Sequence, residues 1–152
     1  MNDLAPIALF TYLRVNTLKK TLKYLKKNEV SKSSLIYIFS DNCKYKKDIK
    51  KIKKVREYLK KINGFKKVHL IKRKKNFGLA KNITTGINHV MKKHKKIIVL
   101  EDDIIVSENF LYFMNLCLNK FKKEKKLWHI NGWNYGFSFP NSNYNTFFWR
   151  GM

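Results

Sequence analysis

Ile97-Ile98-Val99-Leu100-Glu101-Asp102-Asp103 is the stretch on which the reading of this chain turns. Its first four residues form a continuous apolar run of strand length, the pattern of a central parallel strand covered on both faces. Three carboxylates follow at once. In open parallel sheets ligands bind outside the carboxyl ends of the strands, so an acidic cluster at that point marks where a site is to be sought. Adjacent carboxylates repel one another and favour a cation as partner, in a site facing a diphosphate. Hard oxygen ligands suit Mg2+ or Mn2+, which take one or two protein carboxylates and complete their shell with phosphate oxygens and water. The alternative is that the triplet only ends a strand and is neutralised by lysines. Against it, these are three of only 10 acidic residues in a chain with 34 Lys and Arg.

Upstream of that stretch, apolar runs alternate with amphipathic helical stretches, the signature of a parallel sheet covered by helices. A first strand is expected over residues 6–12 and a helix over about 17–28, with Leu18, Leu22 and Leu25 on one face. A second strand over 35–40 ends at Asp41-Asn42. A long basic helix follows, with Ile49, Ile52, Val55, Leu59 and Ile62 at helical spacing up to Asn63-Gly64. A third strand is expected over 68–71, the turn Asn76-Phe77-Gly78 next, then a helix over about 79–93 with Ile83, Ile87 and Val90 inward. Downstream, Ser107 and Glu108 can open a helix lined by Phe110, Met114, Cys117 and Phe121. Trp128 to Ile130 is expected to form a fifth strand. Beyond Gly132 periodicity is lost among aromatics, Asn, Ser and Gly. The fold class is therefore α/β: a mostly parallel twisted sheet with helices on both faces. One domain is expected over 1–152, with an αβ core over 1–131 and a loop, or the start of a further part, over 132–152.

The 152 residues suffice for a single core, and 44% hydrophobic content supplies the material for it. Cys43 and Cys117 lie far apart without metal-ligand spacing, which argues against a disulfide framework and suggests a reducing compartment, with both thiols buried. His69, His89, His94 and His129 share no ligand spacing, so zinc is not expected. No apolar run is long enough to span a membrane, and a cytoplasmic setting is expected. The formal charge of +24 is nearly all lysine, in short runs along every expected helix, which reads as solvated outer faces rather than one focused patch. If the charge has a specific role, attraction to the anionic inner face of a membrane fits it best.

The strand and triplet, followed by Val106-Ser107 and an aromatic helix, resemble the GT-A nucleotide-sugar glycosyltransferases, and more narrowly the bacterial family 2-like and N-acetylglucosaminyltransferase I-like enzymes whose DXD-type motif is written Glu-Asp-Asp. The resemblance also covers residues 6–14 as the first nucleotide-binding strand and Phe39-Ser40-Asp41 as the second. Asn76-Phe77-Gly78-Leu79-Ala80 resembles the loop before the metal motif, and residues 128–134, Trp128 to Asn134, the sugar-side loop. It implies Asp103 as the direct ligand of Mn2+ or Mg2+, with Glu101 and Asp102 toward sugar and ribose. It places Thr11, Tyr12 and Arg14 along the nucleotide, Asp41 at the base, and Asn76 and Gly78 in the adjoining loop. Trp133 would join Tyr135, Phe137 and Phe139 in an acceptor platform, though one strand packed on one face explains that alternation equally well. Each of the others has a structural alternative, as strand end, surface cation or turn former.

The implied partners are a nucleotide-diphosphate sugar, UDP-sugar favoured, and a glycan or lipid-linked acceptor of the cell surface. Inverting enzymes of this fold need a carboxylate base, and no residue here is assigned to it, so the chain resembles an N-terminal donor-binding portion. Two other classes stay open: a catalytically inactive nucleotide-sugar binder, and a basic nucleic-acid-binding module, which has no explanation for the acidic triplet.

Overall fold

The computed structural model describes residues 3–132, in which strands and helices alternate. The strands are β1 (Ile7–Thr11), β2 (Leu35–Ser40), β3 (Lys67–Lys72) and β4 (Ile98–Glu101). The helices are α1 (Val15–Lys26), α2 (Ile49–Leu59), α3 (Leu79–Met91) and α4 (Phe110–Lys120), with short 3-10 segments at Glu29–Ser33 and Lys46–Asp48. Every strand pair is parallel, in the order β3-β2-β1-β4. The expected α/β architecture is therefore the observed one.

The strands read as unbroken apolar runs because each face of the sheet has its own cover. Ile7, Leu9, Ile36, Ile38, Ile98 and Leu100 meet the leucines of α1, Val55 and Leu59 of α2, and Leu111 and Met114 of α4. Ala8, Phe10, Tyr37 and Phe39 point the other way, toward Ile83, Ile87 and Val90 of α3. Phe10 and Phe39 stack at 5.0 Å between centroids. Gly86 lets α3 lie close against them: a Cβ there would collide with the Phe10 ring and come within 3.2 Å of Phe39.

This arrangement fixes the ligand edge. From β1 the chain steps through α1 and α2 to β2 and β3 in one direction, then returns across the opposite face through α3 and sets β4 on the other side of β1. The strand order reverses between β1 and β4, and such a switch point opens a crevice at the carboxyl ends of the two strands.

Three expectations are corrected. Strand β4 is not central but outermost among the described strands, and Val99 is 40% exposed. A groove of about 1410 Å³, lined by Met91, Val99, Ile105, Phe110 and Trp128 among others, runs along it. No strand forms at 128–130; Trp128 is 92% exposed, while Ile130 packs on the core. Three apolar or aromatic letters in a row do not make a strand without a neighbour to bond. Finally, Cys43 is only partly buried while Cys117 is buried, and both thiols are free. Burial pushes the Cys117 thiol above its ordinary pKa.

No helix among the described residues is long and apolar enough to cross a membrane. Trp133 and the aromatic series after it lie outside the described residues.

Candidate functional site at the sheet switch point

Asp102 is the joint between the ends of β1 and β4. It is 2% exposed, and its carboxylate accepts from the Thr11 hydroxyl (2.8 Å), the Tyr12 amide (3.0 Å) and the Arg14 guanidinium (2.8 Å). Its carbonyl accepts from Thr21 of α1 at 3.0 Å. A buried carboxylate needs this many donors, because desolvation otherwise costs more than the charge returns. Arg14 also pairs with Asp103 at 3.0 Å. The Asp102 carboxylate first, and Asp103 after it, hold the Arg14 guanidinium above its ordinary pKa.

Asp103 differs from its neighbour. Its side chain is 45% exposed, and its ion pair with Arg14 is made through Oδ2. Glu101, partly buried at the end of β4 opposite Phe10, has no side-chain hydrogen bond or ion pair among the described residues. The triplet is thus divided between one structural carboxylate and two that remain available. No group of three or more His, Cys, Asp or Glu among the described residues has metal-binding geometry. A single exposed carboxylate beside a diphosphate is nonetheless a donor set that Mg2+ or Mn2+ accepts.

A second hub sits beside the first. Asp41, 4% exposed, follows β2, and its amide donates to the Thr11 carbonyl at 3.0 Å. Its carboxylate accepts from the amides of Phe77 (2.9 Å) and Gly78 (3.0 Å), from the Asn76 side chain (3.2 Å) and from the Asn42 amide (2.8 Å). Asn76 donates as well to the Asn42 carbonyl. Gly78 stands at φ 74° and ψ 166°, a region essentially restricted to glycine, and opens α3. The Lys44 amide donates to the Tyr12 hydroxyl at 3.0 Å, which links this hub to the triplet through β1. Thr11, Tyr12, Arg14, Asp41, Asn76, Gly78, Glu101, Asp102 and Asp103 therefore lie at one end of one sheet.

Three residues outside the expected set hold this edge together. Arg73, after β3, is sandwiched between the Phe39 and Phe77 rings at 5.2 and 4.6 Å and donates to Asn82 Oδ1 and to Thr85, each at 2.9 Å. Burial pulls its pKa down and Asp41 pushes back, but an arginine stays charged throughout. Arg56 of α2 reaches across to the Arg73 carbonyl at 2.9 Å. Asn28 accepts from the Leu111 amide at 2.8 Å and donates to the Ser107 carbonyl at 3.1 Å, clamping the loop that follows the triplet. A signal for the arginines was present: the chain has four beside thirty lysines. Three of those four sit at this edge, where a planar fork is needed rather than a point charge.

Residues 87–149 match the model of glycosyltransferase family 25, described as an LPS biosynthesis protein. That span runs from the second half of α3 through β4 and the triplet to α4 and beyond the described residues. No curated protein matches the sequence. Among solved structures, S. aureus TarS is similar at a TM-score of 0.52 and 12% identity over 77% of this chain and 20% of its own. S. aureus TarS 1-349 in complex with UDP gives 0.49 and 11% over 77% of this chain and 33% of its own. The chain thus spans about a fifth of the TarS chain. The TarS likeness establishes a shared parallel α/β fold, and the stretch that carries the triplet is similar to the glycosyltransferase family 25 model.

Proposed function

We propose that this chain is the donor-binding portion of a glycosyltransferase, which binds a nucleotide-diphosphate sugar at the β1–β4 switch point for transfer to a surface-glycan or lipid-linked acceptor. The observation that carries the reading is the meeting of Thr11-Tyr12-Arg14 with Glu101-Asp102-Asp103 at that one crevice, in a chain whose second half matches a glycosyltransferase family. A UDP-sugar is the favoured donor. In this reading the nucleotide lies along Thr11, Tyr12 and Arg14, its base toward Asp41 and the Asn76–Gly78 loop. Glu101 faces the sugar and ribose, whereas Asp102, 2% exposed with both carboxylate oxygens taken by Thr11, Tyr12 and Arg14, does not reach them.

Asp103 would hold Mn2+ or Mg2+; such an ion offsets the negative charge that collects on a leaving diphosphate. Arg14, held by Asp102, places a permanent positive charge beside the same position. The roles within the triplet differ accordingly. Asp102 orients Arg14 and the Tyr12 backbone, whereas Asp103 is the residue that would hold the ion.

Melting temperature with UDP plus Mn2+, with each alone, and with Asp103→Ala tests this. At a hundredfold excess over the dissociation constant the gain is about 2.7 kcal/mol, or about 5–10 °C for a chain of this size. A rise that needs both components and disappears in Asp103→Ala is the expected result; the absence of any rise with nucleotide diphosphates refutes donor binding.

A second reading has one specific observation in its favour. The Arg14–Asp103 pair already balances the exposed carboxylate without a metal, as suits a catalytically inactive nucleotide-sugar binder. That reading predicts a UDP-dependent rise that is the same with and without Mn2+, and no sugar transfer.

A further inference from the structure

Helices α1 and α2 pack side by side on one face of the sheet, which brings together two lysine runs that are separate in sequence. On α1 the exposed positions Lys19, Lys20, Lys23 and Lys26 have no acidic partner among the described residues. On α2 the same holds for Lys50, Lys53 and Lys54. Side-chain contacts knit the two rows into one surface. Lys19 Nζ lies 5.4 Å from the centroid of the Tyr58 ring, and the stem of Lys26 covers Gly64 at the turn beyond α2. Helices of about 17 Å lying about 9 Å apart place these cations within one or two screening lengths of each other at physiological salt. Their potentials add, and they repel one another when nothing covers them. Two of the solvated lysine faces expected from the sequence therefore adjoin in the fold.

We infer that this two-helix face docks on an anionic lipid surface. Three features favour lipid over another polyanion. The charges are lysines spread over a broad pair of helices, whereas Arg56, the arginine of α2, is turned inward to the Arg73 carbonyl. Polyvalent attraction to an anionic leaflet needs such point charges and no directional fork. Tyr45 and Ile49, at the start of α2, are exposed beside Lys44 and Lys47, whose ammonium groups lie 5.4 and 5.6 Å from the Tyr45 ring centroid. An aromatic and an aliphatic side chain at the rim of a lysine field suit the headgroup boundary. The same rim adjoins the switch-point edge, because the Lys44 amide donates to the Tyr12 hydroxyl. Docking in this orientation brings that edge beside the lipid surface. The inference stands apart from donor binding, and its test needs no nucleotide.

The test is co-sedimentation of the full chain with phosphatidylcholine vesicles, with and without about 30% phosphatidylglycerol, in 0.15 M salt. Binding to the anionic vesicles alone is expected. Each neutralised lysine should weaken it about fivefold, so K19Q/K23Q/K50Q/K54Q should lose on the order of a hundredfold or more. A control with the same change of charge elsewhere, K92Q/K93Q/K122Q/K123Q, should lose less than a tenth as much, with melting temperatures and far-UV spectra showing both variants folded. Equal losses in the two variants, or no binding to anionic vesicles, overturn the inference. So does binding to a DNA or RNA duplex that is tighter than to the vesicles and depends on the same four lysines.

Discussion

Adjacent residues of the triplet have opposite fates, and that contrast makes the first prediction. Asp102 is buried with four hydrogen bonds to side chains and backbone, counting the one at its carbonyl; Asp103 is half-exposed with one ion pair. Asp102→Asn leaves the shape but replaces an acceptor oxygen by an amide that meets donors. It should cost about 2–4 kcal/mol, the range for breaking a buried charged network. Asp103→Asn should cost less than about 1 kcal/mol, as exposed pairs do. Urea unfolding of both variants checks this, and comparable losses would remove Asp102 from its structural role. Sequence reading placed all three carboxylates at the right edge but had no means to divide them. What decides is which of them faces Thr11, Tyr12 and Arg14, some ninety residues away. Arg73 was hidden for a related reason: within Lys72-Arg73-Lys74-Lys75 nothing distinguishes it until Phe39 and Phe77 close around it.

At the scale of elements, periodicity located every strand and helix of the sheet core to within about three residues, because each buries an apolar stripe that its own sequence must carry. It failed where pairing or capping is remote. β4 has the letters of a central strand, yet its rank in the sheet depends on what lies beyond it. α4 was expected to open on Ser107 and Glu108, but the side chain that meets its first turn is Asn28, after α1. Gly86 also carried no readable signal, since a glycine inside a helix only lowers its propensity; its reason is the pair of rings beneath it. Gly86→Ala gains about 1 kcal/mol of helix propensity and loses more to overpacking against two stacked, buried rings, a cost of about 1–3 kcal/mol where neighbours cannot move away. A net loss of about 1–2 kcal/mol is expected in chemical denaturation. A variant as stable as the parent would show that α3 has room to lift from the sheet.

Over the whole molecule, the lysines stay charged between pH 7.5 and 5.5, so the charge of +24 bears on acid stability there only by repelling a group that gains a proton, whereas the burial of His69 acts without it. His69 on β3 stacks on Tyr37 at 4.5 Å, with the His89 ring edge-on to that tyrosine and His94 sharing a hydrogen bond with its hydroxyl at 3.1 Å. Burial, then Lys67 and Lys93, then the other two histidines, holds the His69 pKa below its ordinary value. No acidic group is among these neighbours. Because the folded form binds its proton less readily than the unfolded chain, the unfolded state takes up more protons as pH falls past the ordinary histidine value of about 6.5. The contribution is therefore complete above that pH and is lost progressively below it. Glu57, lowered by its bond to Lys60, acts only in the carboxylate range and leaves this window alone. Between pH 7.5 and 5.5 the unfolding free energy should fall. In about 0.5 M salt, which shortens the screening length to about 4–5 Å, the part due to lysine repulsion of the added proton should shrink while the part due to His69 burial persists. His69→Phe keeps an aromatic ring against Tyr37 and removes the proton site, so at high salt its stability should be nearly flat across the window. If the parent and the variant fall in parallel at high salt, the acid sensitivity belongs to other groups that gain a proton in this window and not to His69 of β3.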